Sequence, residues 1–426
     1  MSPTRVPLGE GEIDVNLPEC AVTVADPSGG DPVDVRGAAG AALREPVGTG
    51  GASGSGDGPS GASGSTARLA DRVDSDDSVA IVVTDLTRAT PDAELVDALC
   101  TELARAGVGR EQVTVVVGLG LHRPMTDAEL AAMLGEYADL AVNHDPEETV
   151  TVGRVDGVPI ECNRRVANAD RVLATGMVEP HQYAGFSGGG KTVAIGAGGE
   201  PFIKYTHGPD LLAEPGVRLG RTADNPFRAA VDAAGEACGL EFCLNVTHGP
   251  AGILDAAAGE PRSVVETLAE SAREALSVDI DGGYDAVIAG VGAPKDATLY
   301  QASRAATYVA LGATDPLVQG GRLVVPATLA EGAGDGTGER RFYDRLAGAS
   351  SADTLYEEMR SGYEPGAQRA FVVARVLKDY EIYVSNSDAP AVVDECLMKP
   401  RERVAEAVEP GSDVLIIPDA LHTLLV

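Results

Sequence analysis

The chain has 426 residues, enough for two or three domains with cores of their own. Acidic residues outnumber basic ones by 65 to 33, for a formal net charge of −32, and a surface of that sign excludes nucleic acid and anionic membranes as partners. No apolar run is long enough to span a bilayer and no charged-then-apolar leader opens the chain, so a cytoplasmic protein is expected, and the acidity suits a high-salt, halophilic cytoplasm where screening removes self-repulsion.

Residues 1–45 carry short alternating segments, such as 21–24, that can begin a sheet. Residues 48–65 are almost entirely Gly, Ser and Ala, with Asp57 and Pro59, and read as a flexible linker. From residue 78 strands and helices alternate. Residues 79–83 form an apolar run typical of a buried parallel strand; Thr90 as cap and Pro91 in the first turn then open a helix. The next strand covers 112–117, and Thr126 to Glu129 is a capping box. A further strand covers 171–175, and 263–276 reads as a helix. A second series follows: a strand at 284–289, a helix at 297–311, and strands at 321–326, 369–376, 381–385 and 413–418. This repetition predicts an α/β protein of two doubly wound Rossmann-like domains with an interdomain active-site cleft, the first spanning 1–275 and the second 276–426. Cys20, Cys100, Cys162, Cys238, Cys243 and Cys396 show no CxxC pairing, and reduced, mostly buried thiols are expected.

The informative polar residues follow predicted strands, where open α/β sheets bind ligands. Asp85-Leu-Thr87-Arg88 follows the first strand, Gly118-Leu-Gly120-Leu-His122-Arg123-Pro124 the second, and Glu179-Pro-His181 with a glycine cluster the third. In the second series Gly290-Val-Gly-Ala-Pro precedes Tyr300, Gln301 and Arg304. An acidic protein that gathers Arg88, Arg123 and Arg304 near a glycine loop is set to bind a small anion. Each residue has a plainer reading: Asp85 and Thr87 as a turn cap, His122 as a loop histidine, His181 as a ring packed on Tyr183, His207 as a turn residue, and Arg123 and Arg304 as surface charges. His144, His248 and His422 have no comparable setting. The functional case rests on coincidence of position. Gly185 to Thr192 also matches the phosphate-loop pattern GxxxxGKT, which works only between a strand and a helix. Here the preceding strand ends well short of Gly185, Pro180 intervenes, and Gly196, Gly198, Gly199 and Pro201 stop a helix within two turns.

The pieces Asp85-x-Thr87-Arg88-x-x-Pro91, Gly120-x-His122-Arg123-Pro124, Glu179-Pro-His181-x-x-x-Gly185-x-Ser187-Gly188-Gly189-x-Lys191, His207 and Leu299-Tyr300-Gln301 resemble the nickel-dependent lactate racemase family, from about Val79 onward. The resemblance implies a racemase or epimerase of a 2-hydroxy acid and a nickel-pincer nucleotide, a pyridinium mononucleotide with thioamide and thioacid arms. It implies that Lys191 is joined to that cofactor, that His207 ligates nickel, and that His122 and His181 are the paired acid/base. Asp85, Thr87, Arg88, Gly188 and Gly189 are then cofactor-binding residues, and Tyr300, Gln301 and Arg304 lie on the substrate side. The implied route removes the hydroxyl proton as hydride passes from carbon to cofactor; a planar 2-keto acid takes the hydride back on its other face. Enzymes that synthesise the cofactor are implied partners.

Three departures concern the substrate. Arg304 stands where these racemases usually have a lysine, no tryptophan exists in the chain, with Phe342-Tyr343 in the corresponding region, and Gly190 replaces the residue before the cofactor lysine. They point to a larger or more acidic 2-hydroxy acid than lactate. The competing readings are a phosphate-loop NTPase and a non-catalytic nickel or nucleotide carrier; the carrier has little need for His122 and His181. The charge balance makes a separate prediction: withdrawing salt should unfold the protein, followed by circular dichroism during dialysis from molar to millimolar salt.

Overall fold

The computed structural model describes residues 4–17, 19–48, 67–364 and 366–426; all of the expected linker beyond Gly48 lies outside them. Two compact units result. One comprises Gly29–Thr206 and Thr222–Ala275, the other Met1–Ser28, His207–Arg221 and Leu276–Val426. The expected first domain thus gives up its opening residues and the segment that begins at His207. Among the described residues no helix is long and apolar enough to cross a membrane.

The first unit is built on a six-stranded sheet. Its order is Gly252–Gly259, Leu240–Gly249, Arg171–Met177, Val79–Thr84, Val113–Gly118, Ala141–Asn143. Every pairing is parallel except that between Leu240–Gly249 and the edge strand Gly252–Gly259. The Val79 strand lies in the middle and is buried along nearly its whole length, as its unbroken Val/Ile/Ala run demands. On one face Ile81, Val83, Val115 and Val117 pack against Leu95, Leu99 and Leu103 of the helix Asp92–Arg105 and against Leu130 and Leu134 of Asp127–Leu134. The parallel strands run outward in both directions from the Val79 strand. The chain's direction of travel therefore reverses between the Val79 and Arg171 strands, the switch point where doubly wound sheets hold ligands.

The second unit repeats the plan in the order Lys399–Arg401, Glu381–Ser385, Leu317–Pro326, Tyr284–Ala289, Asp413–Ile417, Ala21–Val24, all parallel. The segment 21–24 does enter a sheet, as the edge strand of this unit. Residues 369–376, expected as a strand, lie within the helix Gln368–Leu377, with Phe371, Val372, Val373 and Val376 all buried. A helix buried all round shows no periodicity, and its Val-Val run reads like a strand. Thr90 is not the cap of its helix either. Pro91 takes the N-cap position without a side-chain bond, and the Thr90 hydroxyl pairs with Thr84 at 2.9 Å. The capping box at Thr126 and Glu129 forms as expected.

The glycine cluster follows a two-residue hairpin, Pro180–His181 paired with Gly185–Phe186. Gly188 and Gly189 have φ of +78° and +57°. Side chains there would also collide: a Cβ on Gly188 would sit 2.6 Å from Asn245 Nδ2, and one on Gly189 2.7 Å from Val265 Cγ2. The helix Gly190–Gly196 then starts against the helix Pro226–Ala237, and a Cβ on Gly235 would lie 2.6 Å from Gly190 Cα. Close packing, as much as ligand access, accounts for the cluster. Gly235→Ala should therefore destabilise the protein by about 1–3 kcal/mol, the usual cost of overpacking, measured by chemical denaturation at constant salt.

Candidate functional site

At the switch point of the first unit, Asp85 follows the Val79 strand and is almost wholly buried, at 7% exposure. Its Oδ1 accepts from the Thr87 backbone N–H at 3.1 Å and from the Thr87 hydroxyl, closing a tight turn. Its Oδ2 lies 2.6 Å from His122 Nδ1. An imidazole whose Nδ1 faces a carboxylate carries its proton there, which leaves Nε2 as the basic nitrogen. The His122 side chain is 63% exposed, so that nitrogen is accessible. Burial pushes the Asp85 carboxyl up, but the bonds from His122 and Thr87 outweigh it and hold the group below its ordinary value.

A second carboxylate stands behind it. Asp92 is 1% exposed; its Oδ1 accepts from the Thr175 hydroxyl at 2.6 Å and its Oδ2 lies 3.1 Å from the Thr84 hydroxyl. Burial raises its pKa to about 7, against the pull of both threonines, and the Asp85 charge adds to the rise. One carboxyl of the pair is thus kept ionised to face His122, and the other takes up a proton near neutrality.

His181 is set the other way. Its Nδ1 accepts from the backbone N–H groups of Tyr183 and Ala184 at 3.2 and 3.1 Å. A neutral ring held so carries its proton on Nε2 and is a hydrogen-bond donor there. It meets Tyr183 edge-on, with centroids 5.6 Å apart, and lies 6.2 Å from the Phe227 ring. Its hairpin is latched by Ser187, whose hydroxyl accepts from the Glu179 N–H at 3.0 Å and donates to the Met177 carbonyl.

Past the glycine turn comes Lys191, only partly exposed. Burial, and then the charges of Arg88 and Arg228, lower its pKa to about 7; Glu179 and Asp85 act in the opposite sense. An amine in that state is a nucleophile at neutral pH, unlike an ordinary lysine. Arg88 Nε sits 3.5 Å from Glu179 Oε1, and Glu179 Oε2 is 3.3 Å from His248 Nε2. His248, which had no functional setting in the sequence, therefore belongs to the same surroundings. Arg123 does not. Its guanidinium forms a two-pronged pair with Glu129, at 2.9 and 2.7 Å, which corrects the expectation of an anion-binding arginine there. His144 is buried between Gly198 O and Asn163 Nδ2 and is structural.

The phosphate-loop context is missing, as its flanks suggest. The strand Arg171–Met177 ends before the hairpin, and the helix after the glycines stops at Gly196. In the second unit Tyr300, Gln301 and Arg304 lie on the first turns of the helix Leu299–Ala310, capped by Thr298. Arg304 Nη2 donates to the Tyr308 hydroxyl at 2.6 Å and its Nη1 to Gln301 Oε1 at 3.4 Å. Tyr300 meets Phe342 edge-on at 5.5 Å, and the Arg369 guanidinium lies 5.4 Å from the Tyr300 ring centre. His207 follows the helix Glu200–Thr206, at the start of the segment that belongs to this unit. Each unit thus assembles its own share of the predicted residues. Asp92, Arg228 and Arg369 were not anticipated. Threonines at two neighbouring strand ends hinted at the first, whereas Arg228 bonds to carbonyls distant in sequence and left no signal.

The two switch-point sheets, with two imidazoles in opposite settings and a lysine amine of lowered pKa on one of them, define a two-unit α/β protein with its ionisable side chains gathered at strand ends. By sequence the chain belongs to the lactate racemase family: the lactate racemase N-terminal domain matches residues 63–220 and the C-terminal domain residues 282–423. It is 26% identical over 378 residues to the lactate racemase of Thermoanaerobacterium thermosaccharolyticum, covering 84% of this chain and 87% of that one. It is also 26% identical over 368 residues to that of Lactiplantibacillus plantarum, covering 82% and 85%. The fold superposes on the lactate racemase apoprotein of T. thermosaccharolyticum with a TM-score of 0.84 at 23% identity over the whole of both chains. A Thermotoga maritima protein gives 0.61 at 18% identity over 82% of this chain and 93% of that one.

The Asp85–Asp92 arrangement predicts a pH effect. A carboxyl near 3.8 when unfolded and about 7 when folded binds more protons in the folded state, so its contribution is fully present below pH 3.8 and is lost as pH rises to 7. Asp92→Asn should remove that slope and leave the variant more stable than the parent at pH 8, by up to about 4 kcal/mol. Chemical denaturation at pH 5 and pH 8 measures it.

Proposed function

We propose that the protein is a racemase or epimerase of a 2-hydroxy acid that works with a nickel-pincer nucleotide joined to Lys191. The observation that carries the reading is the unlike presetting of His122 and His181. Inverting a stereocentre needs a base for one enantiomer's hydroxyl proton and a donor to restore the proton for the other. His122, its Nδ1 proton held by Asp85, offers Nε2 as the base. His181, its Nδ1 filled by two backbone N–H groups, presents Nε2–H as a hydrogen-bond donor to the substrate oxygen. It serves as the acid only after the ring has taken up a second proton, since loss of Nε2–H from the neutral ring would leave an imidazolate.

The residues fit the cofactor. Lys191, with a pKa of about 7, is the kind of amine that forms an amide-like bond, and Arg88 beside it suits a nucleotide phosphate. Gly188 and Gly189 admit no side chains between the turn and its neighbours. Among the described residues no group of three or more His, Cys, Asp and Glu could hold a metal; the pincer's sulfur arms need only one imidazole to complete the set, which we assign to His207. When bound, the group supplies a reversible acceptor for the hydride on the substrate's 2-carbon. Asp85 and Thr87 keep His122 in place, and Glu179 keeps Arg88 from wandering into solvent.

The relatives named above are lactate racemases. For this chain we propose a bulkier or more acidic 2-hydroxy acid, because Arg304, where these racemases usually carry a lysine, brings a planar guanidinium in place of an ammonium, and the chain has no tryptophan, with Phe342-Tyr343 in the corresponding region. Protein from its own host should carry a mass adduct at Lys191 and close to one nickel per chain. Lys191→Ala should lose adduct and activity together, and His122→Ala should keep the adduct while turnover falls roughly 10²–10⁴-fold. Deuterium on the reacting carbon should remain in the product. Unmodified, metal-free and fully active protein, or washout of the label into water, rules the reading out.

A further inference from the structure

Arg228 lies near the start of the helix Pro226–Ala237 and is 5% exposed. The Asn225 side chain caps this helix by accepting from the Arg228 backbone N–H at 3.2 Å. The guanidinium turns inward beneath the glycine turn: Nη1 donates to the carbonyls of Phe186 and Gly188, both at 3.3 Å. Nη2 pairs with Asp232, one turn on and 7% exposed, and Asp232 in turn lies 3.8 Å from Arg262 Nη1. Helix and turn are locked together at this point, because a Cβ on Gly190 would lie 2.7 Å from Val231 O and 2.8 Å from Asp232 Cα. A buried arginine that spends two bonds on the backbone carbonyls just before a lysine, and is anchored by its own carboxylate, is more than an isolated ion pair.

We propose that Arg228 is the positioning residue for Lys191: it braces the turn from beneath and holds a fixed positive charge behind the amine, so that the amine is presented uncharged for bond formation. The inference rests on the reading of Lys191 as the attachment point. Four charged groups act on that amine. Arg88 and Arg228 disfavour its protonation, and Glu179 and Asp85 favour it. Arg88 is 36% exposed at its side chain and already paired with Glu179, so solvent and its partner screen it. The Arg228 charge is out of water and is opposed chiefly by Asp232.

The test reads Lys191 itself, without turnover. The full-length chain, purified without cofactor, is pulse-labelled with acetic anhydride across pH 6–10, and acetylation of Lys191 is followed by peptide mass spectrometry against Lys204. Wild type should label half-maximally near pH 7. Arg228→Met should move that midpoint up by about one pH unit, a roughly tenfold loss of labelling rate at pH 7. Arg228→Lys, which keeps the charge but cannot reach both carbonyls, should move it much less. Asp232→Asn, which frees the arginine's charge, should move it down. A midpoint unchanged in folded Arg228→Met overturns the proposal. If that variant does not fold, an unchanged or raised midpoint in Asp232→Asn does so. Should native protein carry no adduct while the midpoint still answers to Arg228 and Asp232, the attachment reading has failed and the electrostatic one has not.

Discussion

A lysine amine held away from water beside two guanidiniums is the constraint on which the first unit depends. Burial and the charges of Arg88 and Arg228 disfavour its ammonium form more than Glu179 and Asp85 favour it, and the neutral amine is a nucleophile. The surrounding architecture follows from holding it there. Gly188, Gly189 and Gly190 carry no side chains because Asn245 and Val178 crowd the first and the helices that hold Val265 and Asp232 crowd the other two. Its carbonyls are pinned by Arg228, and the hairpin that introduces it is latched by Ser187. Loosening any of these would let water reach the amine and return it to the ammonium form.

The same low-dielectric setting explains the carboxylates. Asp85 and Asp92 lie close enough to feel each other's charge, and both are buried. Two anions there would repel, so the structure divides their roles. Asp85 has a cationic-capable partner in His122 and stays ionised, while Asp92 has only hydroxyls and takes up a proton near neutrality. The Asp85 charge adds to the rise at Asp92, while Asp85 itself is held ionised by His122 and Thr87.

Much of this was legible in the sequence where local chemistry decides the outcome. The Val79 strand is an unbroken buried run, the Thr126 capping box is four residues with one solution, and the residues trailing the strands mark the switch point because chain direction reverses there. What escaped depends on long-range partners. Residues 369–376 are helical because neighbours bury every side of them, and no periodicity records that. Residues 21–24 pair with Asp413–Ile417, nearly four hundred positions away. Arg228 reaches carbonyls about forty residues upstream, and Asp92 resembles an ordinary helix start until Thr84 and Thr175 close around it.

The unlike histidines raise a question that thermodynamics answers. Enantiomers have equal free energies, so where the substrate has a single stereocentre the proposed racemisation has an equilibrium constant of one, and kcat/KM must be the same in both directions at every pH. An enzyme whose two imidazoles were interchangeable would also show equal kcat and equal KM. Here they are not interchangeable. His122 has its Nδ1 against the Asp85 carboxylate, whereas His181 has its Nδ1 filled by two amide N–H groups. On the proposed reading each direction needs one ring as neutral base and the other as imidazolium, so the two directions start from different ring states. For enantiomers any such difference must cancel in kcat/KM and can appear only in kcat and KM separately, so the asymmetry of the site can divide kcat from KM but never sets which enantiomer prevails.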